Sequence, residues 1–108
     1  MNTFEKIVEA IKPFKIPYAP DIYYGSTEKH FVYNYVFDAS GICADDDMIE
    51  AVADIQLHLY MPVSENFISL KNEIRHALIK QGFTSPEITQ IIEKKTRHII
   101  FECEIEEE

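Results

Sequence analysis

Two stretches of the chain alternate apolar and polar residues with a period of two. The first is Phe31-Val-Tyr-Asn-Tyr-Val-Phe-Asp38, and the second is Ile49-Glu-Ala-Val-Ala-Asp-Ile-Gln-Leu-His-Leu-Tyr60. Successive strand side chains point to opposite faces, so this pattern predicts two strands of a long hairpin. In the first arm Phe31, Tyr33, Tyr35 and Phe37 share one face, and Val32, Asn34, Val36 and Asp38 share the other. In the second arm Ile49, Ala51, Ala53, Ile55, Leu57 and Leu59 form an apolar face opposite Glu50, Asp54, Gln56 and His58. A slip of one residue would bury those polar groups, which fixes the register. Such a hairpin has one dry face and one wet face, and the dry face needs a helix to cover it.

Helical spacing appears on both sides of the hairpin. Phe4, Ile7, Val8 and Ile11 recur at intervals of three and four, predicting a helix over 3–12. Asn2 followed by Glu5 has the spacing of a capping box, and Pro13 ends the helix. A second helix is predicted over 65–81, with Ser64 as N-cap, Phe67, Leu70, Ile74, Ala77 and Leu78 on one face, and Gly82 beyond its end. Between helix and hairpin, Pro13, Pro17 and Pro20 exclude regular structure. Ile22-Tyr-Tyr24 is the expected short edge strand. Glu87–Ile92 and Arg97–Ile105 alternate again and give two closing strands joined by a turn over 93–96. The order α-β-β-α-β-β predicts an α+β fold: an antiparallel sheet of four or five strands with two helices packed on one face.

The chain has 108 residues, the size of one domain. Apolar residues make up 46% and aromatic residues 12%, enough for a folded core. The net charge of -9 excludes sequence-independent attraction to phosphate and opposes anionic lipid. No apolar run reaches the roughly 18 residues of a membrane span, and the N-terminal residues do not form a signal peptide. Cys43 and Cys103 do not make a disulfide framework and are expected as free thiols in a reducing cytoplasm.

Candidate chemistry is sparse, and no enzyme activity or cofactor is expected. Three glycines allow no phosphate-cradling loop. His30, His58, His76 and His98 contain no pair at metal-ligand spacing, and a lone strand histidine such as His58 is expected as a surface residue, not a ligand. Cys43, Asp45 and Asp47 lack the ligand order of a calcium loop, so no metal is expected there. Neither Ser69 with His76 nor Cys103 with His98 has an orienting third group. The loop over 39–48 is long and carries Asp45, Asp46 and Asp47, and loops of this length are usually functional. Six tyrosines cluster before and within the hairpin, either filling the edge of the core or forming a protein contact surface. The expected contact regions are Tyr18, Tyr23 and Tyr24 in one segment, and Ile42, Asp45, Asp46, Asp47 and Met48 in the loop.

An aromatic strand, Phe31-Val-Tyr-Asn-Tyr35, comes before the acidic Ala44-Asp-Asp-Asp47. A strand ending Ile55-Gln-Leu-His-Leu-Tyr60 comes next, followed by a helix with Leu70, Ile74 and Leu78 that closes at Gln81-Gly-Phe83. The chain finishes on Ile99-Ile-Phe-Glu-Cys-Glu-Ile105. In this order the features resemble the tail-terminator proteins of long-tailed bacteriophages and prophages, including the lambda minor tail protein U superfamily. The resemblance implies an α+β structural protein without enzyme activity, forming a ring that is usually hexameric at the head-proximal end of the tail tube. Its implied partners are further copies of itself, the tail tube protein and the head connector, with no membrane and no sequence-specific nucleic acid. Its implied location is the bacterial host cytoplasm during assembly and then the virion tail. Another phage neck or head-completion adaptor, or a small dimeric α+β ligand-binding or regulatory domain, remains as an alternative.

Overall fold

The computed structural model describes residues 1–42 and 49–107. Two helices and five strands follow one another as α1 (Thr3–Ile11), β1 (Tyr18–Pro20), β2 (His30–Ile42), β3 (Ile49–Pro62), α2 (Ile68–Lys80), β4 (Glu87–Glu93) and β5 (Thr96–Glu107). The strands form one sheet in the order β1-β2-β3-β5-β4. The four long strands pair antiparallel, and β1 lies parallel to β2 at the rim. The fold is α+β.

The capping box at Asn2 forms as its spacing predicts. Asn2 Oδ1 accepts from Glu5 N at 2.8 Å, and Glu5 Oε1 accepts from Asn2 N at 3.0 Å. This satisfies two otherwise orphaned N–H groups and fixes where α1 begins. Ile7, Ala10 and Ile11 are then buried against the sheet. Pro13 falls in a single 3-10 turn, and Lys15 takes a left-handed φ of 58° that redirects the chain.

The edge strand is not Ile22–Tyr24 but Tyr18–Pro20. Prolines are tolerated at a sheet edge because a missing N–H costs little there. The Pro17 carbonyl accepts Phe31 N at 2.8 Å, and Asp21 N donates to the Tyr33 carbonyl at 2.9 Å, so the ladder closes around the prolines. Asp21 then adopts φ 61°, which ends the strand and leaves Ile22 and Tyr24 exposed.

The second helix starts at Ile68, not at Glu65. The N-cap position falls on Phe67, not Ser64, and carries no side-chain cap; Asn66 Oδ1 accepts the Ile68 N–H at 3.0 Å just ahead of it, and Glu65 is ion-paired to Lys29 at 3.0 Å. The far end matches expectation. Gly82 has φ 103°, a left-handed conformation that favours glycine, and lets Phe83 N reach back to the Leu78 carbonyl at 3.2 Å.

The core lies between the helices and one face of the sheet. Ile7, Ile11, Ile74 and Leu78 from the helices meet Phe31, Ile55, Leu57, Leu59, Met61, Ile99 and Phe101 from β2, β3 and β5. Phe4 stacks on Tyr35 at 5.2 Å and meets Tyr33 edge-on at 4.9 Å, clamping α1 onto β2. Glu107 draws three elements together, accepting from Tyr35 Oη at 2.6 Å and from Thr3 Oγ1. At the other end Arg97 lays its guanidinium 4.1 Å from the Phe67 ring and donates to Gln90 Oε1 at 2.6 Å.

One register irregularity changes the picture of the hairpin. Tyr35 pairs with Ile55 while Phe37 pairs with Asp54, so Val36 is the extra residue of a β-bulge. Phe31 and Tyr33 are buried and Tyr35 packs on Phe4, but Phe37 is turned to the opposite face and is 63% exposed. The expected four-residue aromatic face therefore ends at Tyr35. The bulge sits where β2 has a strand on one side only. β1 covers Phe31–Tyr33, and from Asn34 onward the outer rim of β2 has no strand beside it among the described residues.

Candidate functional site: the helix-free sheet face

The side of the sheet away from the helices carries no helix among the described residues, and side chains from β2, β3, β5 and β4 point out from it. Pairing of His30 with Tyr60, and of Tyr60 with His98, sets three aromatic rings in a row across three strands. Tyr23, from the segment after β1, extends the row. Tyr23 stacks on His30 at 4.1 Å, His30 on Tyr60 at 4.8 Å, and Tyr60 on His98 at 4.2 Å, with interplanar angles of 13°, 19° and 16°. Near-parallel aromatic stacks across a sheet lock both register and ring orientation.

His58 joins the row from the diagonal position on β3. Its Nδ1 is 2.8 Å from His98 Nε2, and its Nε2 is 2.9 Å from Asn34 Oδ1. Asn34 Nδ2 donates to the Tyr35 carbonyl at 3.2 Å, which turns the amide oxygen towards His58. That oxygen can only accept, so His58 carries its proton on Nε2. His58 Nδ1 is then a bare lone pair receiving the His98 Nε2–H. His30 Nδ1 lies 2.9 Å from the Thr27 carbonyl and 3.1 Å from the Glu28 carbonyl, so this nitrogen is protonated. Burial lowers the pKa of His58, and neighbouring His98 lowers it further. Burial also lowers that of His98, against a weaker upward pull from Glu93. Both rings are held neutral at neutral pH.

The other end of the face is acidic. Glu104 pairs with Asp54, and Glu102 with Gln56 on one side and Glu87 on the other. Gln56 Nε2 donates to Glu102 Oε1 at 3.1 Å, but Asp54 Oδ1 is buried without a partner. Burial first, then the charges of Glu102 and Glu104, raise the Asp54 pKa. A carboxyl whose folded pKa is raised weakens the fold when ionised, and acidification through that raised pKa relieves the penalty. Asp54→Asn is therefore expected to raise the melting temperature at neutral pH. The gain should vanish below the ordinary carboxylate range, a crossover that thermal melts at the two pH values would detect.

The sequence-predicted contact residues are divided among three places. Tyr18 lies on β1 opposite Phe31, 41% exposed, with its ring 6.4 Å from Tyr33. Tyr24 is exposed, whereas Tyr23 is engaged in the stack on His30. Ile42 ends β2, where it pairs with Ile49. Asp45, Asp46, Asp47 and Met48, along with Cys43, lie outside the described residues. The structure joins the Tyr18–Tyr24 segment to the hairpin through Tyr18 beside Tyr33 and through the stack of Tyr23, His30 and Tyr60.

The histidines require a correction. The sequence has no pair at ligand spacing, yet His58 and His98 are in direct contact and His30 shares their stack. The contact spans 40 positions and is set by the register between β3 and β5, which local spacing cannot reveal. The usable signal was parity, because His58 and Tyr60 share the wet face of β3. Cys103 and His98 lie on opposite faces of β5. The Cys103 thiol is buried, and burial together with Asp54, Glu102 and Glu104 pushes its pKa to about 12, which removes it as a nucleophile. Among the described residues, no three or more His, Cys, Asp or Glu side chains converge as a metal cage, and no helix is long and apolar enough to cross a membrane. No family model matches this chain, and no curated protein matches it.

Proposed function

We propose that this chain is a structural subunit of a bacteriophage or prophage tail, a terminator that self-associates into a ring at the head-proximal end of the tail tube. The observation that carries the proposal is a sheet with two unlike rims. One is the β2 rim, which among the described residues has no neighbouring strand beyond Tyr33, and the other is β4, the last strand in the sheet order. A closed ring needs a head-to-tail contact in which one patch meets a different patch on the next copy. Unpaired strand rims supply main-chain donors and acceptors for such contacts. The domain is elongated, 54 × 26 × 25 Å, and the β2–β3 hairpin runs from His30 opposite Tyr60 to Ile42 opposite Ile49. This long lever would present its Ile42–Ile49 end to a neighbouring copy or to the tube. A net charge of -9 suits a lumen through which DNA slides without sticking.

The order of aromatic strand, acidic loop, strand, helix and closing strand supports the same reading. A neck or head-completion adaptor shares these features but makes a different prediction for tail length. A dimeric ligand-binding domain requires an enclosed apolar pocket. The two hollows described here, of about 400 and 520 Å³, are both open to solvent and partly polar in lining.

The proposal is tested by deleting residues 43–47 in a producing phage and measuring ring assembly and tail length. Loss of rings together with overlong tails is the expected outcome. Unchanged tails would remove the loop from the mechanism. Normal tails after deletion of the whole gene would remove the terminator reading altogether.

A further inference from the structure

We propose that His58 and His98 form a two-imidazole site for one divalent transition-metal ion of the square-planar or octahedral type, Cu(II) or Ni(II), on the helix-free face of the sheet. The first argument is geometric. The facing nitrogens, His58 Nδ1 and His98 Nε2, are 2.8 Å apart. The rings meet nearly end to end, with centroids 5.0 Å apart. Once both swing their lone pairs to one side of the N···N line, metal–nitrogen bonds of about 2.0 Å at that separation subtend close to a right angle at the ion. A right angle is the cis position of square-planar and octahedral coordination. Tetrahedral ligands at the same bond length stand about 3.3 Å apart, so the pair favours copper and nickel geometry over zinc.

The second argument is the supporting shell. Asn34 accepts the His58 Nε2–H at 2.9 Å and is itself tethered to the Tyr35 carbonyl, which fixes the tautomer that bares Nδ1. Ligating histidines characteristically hand their other ring N–H to such an oxygen. Tyr60 stacks on His98 at 4.2 Å and on His30 at 4.8 Å, which holds the plane of the second imidazole and leaves it free to swing within that plane. Both ligands stand on strands paired on each side, β3 between β2 and β5, and β5 between β3 and β4. Such strands hold a constellation more tightly than loops do.

The proton balance is simple. In the metal-free state His98 Nε2–H donates to His58 Nδ1. Binding requires that proton to move to His98 Nδ1, a change of tautomer that leaves both rings neutral. No proton is then released at neutral pH, because burial already keeps both imidazoles uncharged. The other ionisable groups beside the pair are Tyr60, stacked on His98, and the Glu93 carboxylate, whose field favours a cation. Two protein ligands leave the remaining positions to water, so the site is open.

The test uses the full chain after chelator treatment, titrated with Cu(II) and Ni(II) by calorimetry and, for copper, by electron paramagnetic resonance. One equivalent of Cu(II) is expected, with hyperfine structure from two imidazole nitrogens. His58→Ala and His98→Ala should each weaken binding at least about tenfold, and Asn34→Ala should weaken it about tenfold through the lost tether. His76→Ala, at an exposed position on α2, should change nothing. His58→Gln and His98→Gln serve as second variants if alanine compromises folding, with circular dichroism as the check. Binding unchanged in a folded His58→Gln/His98→Gln double variant would overturn the proposal. A wild-type chain that takes up no copper, or a spectrum without two coupled nitrogens, would also overturn it.

Discussion

Phe101→Ala is expected to lower the unfolding free energy by about 3–5 kcal/mol, the usual cost of emptying a buried aromatic site. Phe101 is fully buried in the middle of β5, opposite Leu57 on one side and Ile88 on the other. It lies on the helix-covered face, so its removal leaves a cavity between sheet and helices that β3 and β4, fixed by their ladders, cannot close. Small domains have only about 5–15 kcal/mol to lose, so the variant should sit near the edge of folding at physiological temperature. Urea denaturation would show the midpoint falling with little change in slope. A loss below about 1 kcal/mol would mean that the sheet does not pack on the helices as described.

Insertion of one alanine between Gln56 and Leu57 is expected to abolish the cooperative fold. The extra residue turns Leu57, Leu59 and Met61, all fully buried, to the helix-free face. At roughly 1.5–3 kcal/mol for each exposed side chain the penalty is about 5–9 kcal/mol, comparable to the whole stability. A bulge cannot absorb the insertion cheaply, because β3 is hydrogen-bonded on both sides and two ladders would break. Deletion of Val36 is the contrasting variant. It removes the unpaired residue of an existing bulge and keeps the pairs Tyr35–Ile55 and Phe37–Asp54. Amide spectra should collapse for the insertion and stay dispersed for the deletion. An insertion variant that melts like the wild type would refute the register argument.

These two variants also mark what could and could not be read from the chain. The second arm of the hairpin was legible because its alternation is strict and a single face must be dry. The capping box at Asn2 and the glycine stop at Gly82 were legible because each depends on residues within a turn of one another. β1 was misplaced because a proline-rich edge strand has no periodicity, and its only signature is the partner that accepts it. Ser64 was the expected cap because its residue type favours that position, but the helix begins four residues later, after Phe67, without a side-chain cap. The bulge was hidden inside a run of apolar residues, where Val36 has the same parity as Val32 and nothing marks it as unpaired. The imidazole pair was beyond local reading, because parity places each histidine on the wet face while only strand pairing brings them into contact. Tyr23 was picked out as part of a tyrosine-rich contact segment, and the structure gives it a stacking partner within the chain.

One consequence follows from the position of Cys103. A sulfur with almost no solvent access and almost no thiolate is alkylated only slowly until β5 lifts from its neighbours. In a chain with Cys43 changed to serine, the pace of alkylation therefore becomes an internal clock. It would time rare openings at the centre of the sheet, without any added probe, in the free subunit and after assembly.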